Sequence, residues 1–239
     1  MNNKERAYSM KYRSIAIDGP SGAGKSTLAK RLAQELGFLY VDTGAIYRTV
    51  GLAVRRRGLD PTDAAQVAGL LPALAITMGY GADGLQHMFL DGEDVTDAIR
   101  ENAISAYASQ VASLPEVRAF LLDYQRRLAQ ERDVVMDGRD IGTVVLPQAD
   151  VKIFLTARPE ARAQRRYQEL LARGQQAEYE QILAEVIERD RRDTQRETAP
   201  LRQAEDAVVA DTTQLDLEGS FQLLLGLIQN RLLEETADE

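Results

Sequence analysis

The hydrophobic residues of this chain fall into short apolar runs, which are separated by longer stretches with helical spacing. The first run is "SIAI" at 14–17, and leucines and alanines then recur at helical spacing up to Gly37, a typical left-handed helix end. A second helical stretch covers 45–57 and stops at Gly58. The other apolar runs are "FLYV" (38–41), "VVMD" (134–137), "VKIFL" (151–155) and "AVVA" (207–210). This alternation predicts an α/β fold with a parallel sheet covered by helices on both faces.

Two stretches depart from the alternation. Between about 70 and 100, "LAITMGY" and "LQHMFL" flank "GADG", which predicts a hairpin with a glycine-rich turn. The arginine-rich sequence "ARPEARAQRRYQELLARG" follows the run at 151–155. Near the end, "FQLLLGLIQNRLLEE" predicts an amphipathic helix that closes the sheet. The chain thus predicts one compact unit with insertions, or two small domains.

Composition and charge argue against several classes of partner. With 44% hydrophobic residues the chain can bury a sizeable core, and its net charge of −8 argues against duplex DNA or an anionic membrane as the main partner. The absence of cysteine excludes disulfides, and no apolar stretch is long enough to span a bilayer. We therefore expect a cytoplasmic protein without a nucleic-acid or membrane partner, whose residues 1–13 form a loose polar tail.

The sequence "GPSGAGKS" after the first apolar run has the spacing of a phosphate-binding loop. Its glycines allow backbone N–H groups and the N-terminus of the next helix to surround a phosphate. Lys25 would reach the β- and γ-phosphates, and the Ser26 hydroxyl is a candidate ligand of Mg²⁺. A strand before the motif and a helix after it are what the motif requires, so we predict a site for ATP with Mg²⁺. The residues predicted to bind ATP are Gly19, Pro20, Ser21, Gly22, Ala23, Gly24, Lys25, Ser26 and Thr27.

Three classes of protein use such a loop. A GTP-dependent switch needs an Asn-Lys-x-Asp element late in the chain, and the only "NK" here lies in the N-terminal tail, which argues against that class. A regulatory ATPase usually works within a larger machine, and this sequence shows no oligomerisation repeat. A small-molecule kinase needs arginines that neutralise the transferred phosphoryl group, and this chain supplies them in clusters. The kinase is therefore the favoured class.

Two of these arginine clusters lie where predicted strands end. "DTGAIYR" follows the second apolar run, and "DGRD" ends the third. Ligands bind at the carboxyl ends of parallel strands, so both clusters would face the same site as the phosphate loop. Within them, Asp137 is alternatively a candidate for a carboxylate that binds the water around a magnesium ion, and Tyr47 is as compatible with core packing as with substrate contact.

The third cluster is "ERDRRDTQR", in which Arg189, Asp193 and Arg196 would share one helix face at i, i+4 and i+7. Alone, this pattern fits a solvated face with salt bridges equally well. Together with the other two Arg/Asp clusters it favours a shared anion-binding site. The single histidine, His87, lies in the predicted hairpin, and phosphoryl transfer between phosphates needs no such base.

These motifs together resemble those of the bacterial cytidylate kinases, a family of nucleoside monophosphate kinases. The sequences that carry the resemblance are "IDGPSGAGKST", "DTGAIYR", "ASQVA" with "PEVR", "DGRDIGTVV" and "RDRRDTQR", and it extends from about 14 to at least 211. The resemblance implies a P-loop kinase fold: a five-stranded parallel sheet with helices on both faces, an insert and a lid. It implies one kinase domain at 14–239, with a core of 14–41, 117–157 and 175–239, a monophosphate-binding region of 42–116 with an insert at about 70–100, and a lid at about 158–174.

The resemblance also implies roles for individual residues. The residues implied to bind the CMP phosphate are Thr43, Arg48 and Arg139, and Arg196 would lie near the phosphates. The family often has serine where this chain has Thr43, which keeps the hydroxyl. The residues implied to contact the cytosine are Ser109, Arg118 and Asp140, and those implied to hold the ribose are Arg189 and Asp193. The candidate lid residues are Arg158, Arg162, Arg165 and Arg166.

The function implied by the resemblance is ATP-dependent phosphorylation of CMP and dCMP to CDP and dCDP by a monomer. The acceptor phosphate is already an anionic nucleophile, so positioning and charge neutralisation suffice for in-line transfer. The residues expected to be catalytic are Lys25, Arg48, Arg139 and Arg196, with help from the lid arginines. The alternatives are a P-loop kinase of another nucleoside monophosphate or small anionic acceptor, and a regulatory P-loop ATPase.

Overall fold

The computed structural model describes residues 12–81 and 86–237. Its strands are β1 (Ser14–Asp18), β2 (Leu39–Asp42), β3 (Ile76–Tyr80), β4 (Gln86–Leu90), β5 (Glu93–Asp94), β6 (Val134–Gly138), β7 (Val151–Thr156) and β8 (Val208–Asp211). Five of them form a parallel sheet in the order β2-β6-β1-β7-β8. This sheet confirms the predicted fold class, and each of its strands overlaps one of the predicted apolar runs.

The helices include those that helical spacing predicted after the first two apolar runs and near the end of the chain. They are α1 (Lys25–Leu36), α2 (Thr43–Arg56), α3 (Ala64–Leu70), α4 (Asn102–Val111), α5 (Pro115–Glu131), α6 (Pro159–Ala172), α7 (Tyr179–Gln195) and α8 (Leu217–Ala237). Helix α1 ends at Gly37, whose φ of 71° is left-handed as predicted. Helix α2 begins before the predicted residue 45, because the Asp42 carboxylate accepts a hydrogen bond from the Ala45 N–H at 2.8 Å. Among the described residues, no helix combines the length and apolarity needed to cross a membrane.

Both faces of the parallel sheet are buried. Ile15 and Ile17 of β1 belong to an apolar cluster that includes residues of α1 and α8. Ala16, between them, belongs to a second cluster that includes residues of α2, α4 and α5. Successive side chains of a strand point to opposite faces, so this alternation shows helices covering both sides of the sheet, as predicted.

The predicted hairpin is present as the antiparallel strands β3 and β4. Its predicted "GADG" turn overlaps residues 82–85, which lie outside the described part of the chain. The side-chain amide of Gln86 accepts a hydrogen bond from the Asp42 N–H at 2.8 Å and donates one to the Asp42 carbonyl at 3.3 Å. The Tyr80 hydroxyl donates to the Tyr40 carbonyl at 2.7 Å. These contacts fix the hairpin to the carboxyl end of β2.

The N-terminal tail and the arginine-rich segment begin and end as follows. Of the predicted tail at 1–13, residues 1–11 lie outside the described residues. Arg13 already belongs to the folded chain, because its N–H donates to the Asp133 carboxylate at 2.6 Å. The segment at 158–174 is helix α6 with its flanking residues. Its role as a lid and the other domain boundaries stay predictions.

Helix α8 buries one face against the core as predicted, but apolar side chains also lie on its exposed side, so it is less amphipathic than expected. Leu224 is 0% exposed, whereas its neighbour Leu223 is 36% exposed. We expect Leu224→Ala to lower the free energy of unfolding by about 2–5 kcal/mol, because it leaves a cavity in the core. The matched control, Leu223→Ala, should cost less than about 1 kcal/mol. Urea denaturation measures both, and equal losses would mean that α8 packs through a different face.

Candidate active site

The carboxyl ends of β1, β2 and β6 meet at a cleft of about 490 Å³. Strand β1 leads into the phosphate loop, β2 leads into α2, and β6 leads into the "DGRD" sequence. The predicted site residues that line the cleft are Ser21, Gly22, Gly24, Lys25, Ser26, Thr27, Thr43, Arg48, Ser109, Arg118, Arg139, Asp140, Arg166, Arg189, Asp193 and Arg196. The loop and the three arginine clusters therefore meet at one sheet edge, as the parallel topology requires.

Three residues of the predicted phosphate loop do not line the cleft and lie behind the loop residues that do. Gly19 lies so close to β7 that a Cβ atom there would be 1.9 Å from the Leu155 carbonyl oxygen. Ala23 is buried in the apolar cluster around α1. The Pro20 carbonyl accepts a hydrogen bond from the Lys25 ammonium at 2.8 Å. These residues support the loop, while the rest of it faces the cleft.

Lys25 and Ser26 begin α1 next to the carboxyl end of β6. Burial, and next the Arg139 guanidinium, hold the pKa of Lys25 well below its usual value. The Ser26 hydroxyl and the Tyr40 hydroxyl each donate to the Asp137 carboxylate at 3.0 Å. Burial raises the pKa of Asp137 to about 6. A buried lysine with a second cation beside it favours the binding of an anion.

The Ser26 hydroxyl and the Asp137 carboxylate fit a magnesium ion. Both offer oxygen, the ligand atom that Mg²⁺ prefers, and Mg²⁺ usually completes its shell with phosphate oxygens and water. Within 12–81 and 86–237, no group of three or more His, Cys, Asp or Glu side chains could hold a metal ion. The two side-chain oxygens of Ser26 and Asp137 leave most of the ion's shell to phosphate oxygens and water, which suits an ion that arrives with a nucleotide.

The arginines predicted to bind the acceptor phosphate already have carboxylate partners. Arg48 contacts Asp42 at 2.9 Å, and the Arg139 Nε donates to Asp193 at 2.8 Å. Burial, and next the charge of Arg139, lower the pKa of Arg189 to about 10. The arginines therefore repel one another in a partly dehydrated space. An anionic ligand would relieve this repulsion.

The residues predicted to contact the base lie together in the same cleft. Arg118 and Asp140 form a buried ion pair, and an Arg196 nitrogen lies 3.8 Å from the other Asp140 oxygen. Burial raises the pKa of Asp140 although the neighbouring arginines oppose the rise. The Arg118 guanidinium lies 5.6 Å from the centre of the Tyr47 ring. Tyr47 packs against the core, which confirms one of its two interpretations. Tyr47 and Ser109 both line the cleft, and substrate contact by Tyr47 stays a prediction.

The structure corrects the helical-face prediction for one residue. Arg196 does not share a helical face with Arg189 and Asp193, because α7 ends before it and its backbone is extended, with φ −62° and ψ 141°. Its side chain lines the cleft nevertheless. The Thr43 hydroxyl, predicted to face the acceptor phosphate, donates to the Asp137 carbonyl at 2.7 Å while the residue lines the cleft.

The four candidate lid arginines have different surroundings. Arg166 lines the cleft. Arg162 is buried and bound to backbone carbonyls and a carboxylate. Arg165 donates to a backbone carbonyl at 2.6 Å, and Arg158 is exposed. His87 lies in the hairpin and does not line the cleft.

Asp18, the last residue of β1, has a role that the sequence patterns did not reveal. Its carboxylate accepts hydrogen bonds from the N–H groups of Ile141 at 2.8 Å and Gly142 at 2.7 Å. It thereby fixes the turn that follows Asp140. Burial raises the pKa of Asp18 to about 6, although both N–H groups act in the opposite direction. The available signal was a carboxylate at the end of an apolar strand, directly before the first glycine of the loop.

Comparisons with known proteins agree with this arrangement. Residues 15–230 match the family model described as cytidylate kinase. A cytidylate kinase from Caldicellulosiruptor bescii is 50% identical over 218 residues, which cover 91% of this chain and 96% of that relative. One from Pelotomaculum thermopropionicum is 49% identical over 214 residues, covering 90% and 95%.

Among solved structures, an uncharacterized protein from Eubacterium ventriosum is 13% identical with a TM-score of 0.50, covering 92% of this chain and 99% of that one. At this identity the likeness concerns the fold alone. The sequence matches go further, because they span nearly the whole chain and include the phosphate loop and all three arginine clusters. The chain belongs to the cytidylate kinase family.

Proposed function

We propose that this protein is a kinase that transfers the γ-phosphoryl group of ATP to CMP and dCMP. The observation that carries the proposal is the Arg118–Asp140 ion pair, which shares one cleft with Lys25 and Ser26 of the phosphate loop. One cleft thus offers a site for a base and a site for a triphosphate. Membership of the family and the relatives named cytidylate kinases support the same activity.

The polarity of the base-reading group suits cytosine. O2 and N3 of cytosine accept hydrogen bonds, which Arg118 or the Ser109 hydroxyl can donate, and the exocyclic amine donates to a carboxylate such as Asp140. Uracil has an N–H at N3 and an oxygen in place of the amine, so Asp140 would face an acceptor. UMP is therefore expected to be the poorer substrate.

Phosphoryl transfer in this cleft depends on position and charge. The attacking oxygen belongs to the acceptor phosphate and is already anionic, so no side chain has to remove a proton. Arg48 and Arg139 hold the acceptor phosphate, and the Thr43 hydroxyl joins them when it turns from the Asp137 carbonyl to a phosphate oxygen. Lys25 meets the charge that develops between the β- and γ-phosphates, and Arg196 adds positive charge beside the phosphates.

The Ser26 hydroxyl and the Asp137 carboxylate would hold a magnesium ion that enters with ATP. When bound, the ion would neutralise oxygens of the β- and γ-phosphates. Ser26 donates to one Asp137 oxygen and Tyr40 donates to the other, so the carboxylate is oriented before any ion arrives.

The remaining assignments complete the proposal. Arg189 and Asp193 hold the ribose, and the region 42–116 with its insert at about 70–100 binds the monophosphate. The segment 158–174 acts as a lid that excludes water, to which Arg166 supplies a side chain that lines the cleft. We expect the enzyme to act as a monomer.

A coupled assay of ADP release with a panel of nucleoside monophosphates tests the proposed function. CMP and dCMP should be phosphorylated, UMP clearly more slowly, and AMP and GMP negligibly, because only cytosine matches the base-reading polarity. Equal rates with AMP and CMP would contradict the assignment. ATP hydrolysis that needs no acceptor would identify a regulatory ATPase instead.

Replacement of the loop lysine tests the transfer step. Lys25→Ala should lower kcat by about 10²–10³-fold, since it removes a group that acts on charge developing in the transition state. The Kd for CMP, measured by calorimetry, should change far less. Lys30→Ala on the same helix, outside the cleft lining, is the control and should keep both values. A Lys25→Ala enzyme within a few-fold of the parent kcat would refute the loop assignment.

Replacement of Asp140 tests base choice. In Asp140→Asn an amide that can donate replaces a carboxylate that only accepts, so the CMP contact should weaken by about 1–3 kcal/mol while UMP loses less. The ratio of kcat/KM for CMP over UMP should fall about tenfold or more. The control is Asp193→Asn, which removes another arginine partner beside the ribose shared by both nucleotides and should leave the ratio unchanged. An unchanged ratio in Asp140→Asn would place cytosine recognition elsewhere.

A further inference from the structure

Arg162, one of the candidate lid residues, is a charged residue at the centre of a buried contact network. It lies on α6 and is only 2% exposed. Its Nε donates to the Ala157 carbonyl at 2.8 Å, and one terminal nitrogen donates to the Ser21 carbonyl at 2.8 Å. The same nitrogen donates to Asp190 at 3.0 Å, and the second terminal nitrogen binds the other Asp190 oxygen. All three guanidinium nitrogens are therefore bound to protein.

The partners of Arg162 belong to three different parts of the site. Ser21 is in the phosphate loop, and Ala157 lies between β7 and α6. Asp190 is on α7, next to Arg189 in the sequence. Arg162 therefore connects the loop that receives the donor nucleotide with the helix that faces the acceptor.

The contact with Ser21 also orients the loop backbone. No described peptide bond is cis, so the carbonyl of Ser21 and the N–H of Gly22 point in opposite directions across a planar peptide. Because Arg162 holds the carbonyl on its own side, the Gly22 N–H is directed away from Arg162. An N–H group of fixed direction is what a phosphate loop contributes to anion binding.

The contact with Asp190 fixes α7 in a similar way. A planar guanidinium that binds both oxygens of a carboxylate tolerates little displacement, in contrast to a single ammonium contact. Asp193, three residues further along α7, binds Arg139 at 2.8 Å. The position of α7 relative to the phosphate loop therefore determines where Asp193 and its partner Arg139 lie.

We propose that Arg162 is a positioning residue that holds the phosphate loop and helix α7 in the relative placement that in-line transfer requires. It does so by binding the Ser21 carbonyl and the Asp190 carboxylate at once. This inference rests on the proposed function. It makes Arg162 a fixed structural contact in the first turn of α6, in contrast to a lid arginine that binds phosphate. Small misplacements of two reacting groups lower the rate far more than they weaken either binding event.

Variants Asp190→Asn and Arg162→Lys test the proposal, and Glu188→Gln is the matched control. Glu188 is on the same helix, and it binds Arg191 at 2.8 Å on the exposed side, so its loss breaks an ion pair without touching the loop. Asp190→Asn and Arg162→Lys should lower kcat by between about tenfold and a hundredfold, while the Kd values for CMP and for an ATP analogue change only a few-fold. Glu188→Gln should keep the parent kcat. The double variant should be no slower than the slower single variant, because both changes break one connection.

Amide hydrogen exchange gives a second readout that needs no activity. Exchange should become faster together in residues 19–24 and in α7 for both test variants, and in neither segment for the control. Parent kcat in both test variants, a loss confined to the KM for ATP, or faster exchange in α7 alone would each overturn the proposal. A parent enzyme that fails to phosphorylate CMP would count against the proposed function, while the exchange result would still decide the role of Arg162.

Discussion

An excess of positive charge in a partly dehydrated cleft is the constraint on which the rest of the site depends. The cationic side chains that line the cleft are Lys25, Arg48, Arg118, Arg139, Arg166, Arg189 and Arg196, and the carboxylates are Asp42, Asp137, Asp140, Glu169 and Asp193. Burial and mutual repulsion lower the pKa of both Lys25 and Arg189. Such a cluster is tolerated only if each cation is held by carboxylates or carbonyls, or by an anion from outside.

The carboxylate partners explain how the site can exist without substrate and still bind it. Arg48 is paired with Asp42, and Arg139 with Asp193. A phosphate that enters the cleft has to compete with these carboxylates, so binding exchanges one set of charged hydrogen bonds for another. Net affinity is then smaller than the number of arginines suggests, whereas the directions of the arginines are set in advance.

The parts of this site that could be predicted are those whose signals come from residues close together in the sequence. The phosphate loop follows from local spacing, and the sheet follows from short apolar runs, because both signals lie within a few residues. The roles of Asp18 and Arg162 could not be predicted in this way, since Asp18 binds Ile141 and Arg162 binds Ser21, far away along the chain. An arginine-rich helix looks the same in sequence whether a given guanidinium faces water, a carbonyl or a phosphate.

The prediction that α7 includes Arg196 was wrong for a different reason. No glycine or proline stands directly after Gln195, so helical spacing alone carried the predicted face on to Arg196. The structure instead stops the helix and lets an extended residue bring its guanidinium to Asp140.

Gly19 shows the opposite case, in which a motif residue serves a purpose other than the one its motif suggests. Because a Cβ atom there would collide with the Leu155 carbonyl, a larger residue would push β1 and β7 apart, and the damage would reach the sheet before it reached any nucleotide.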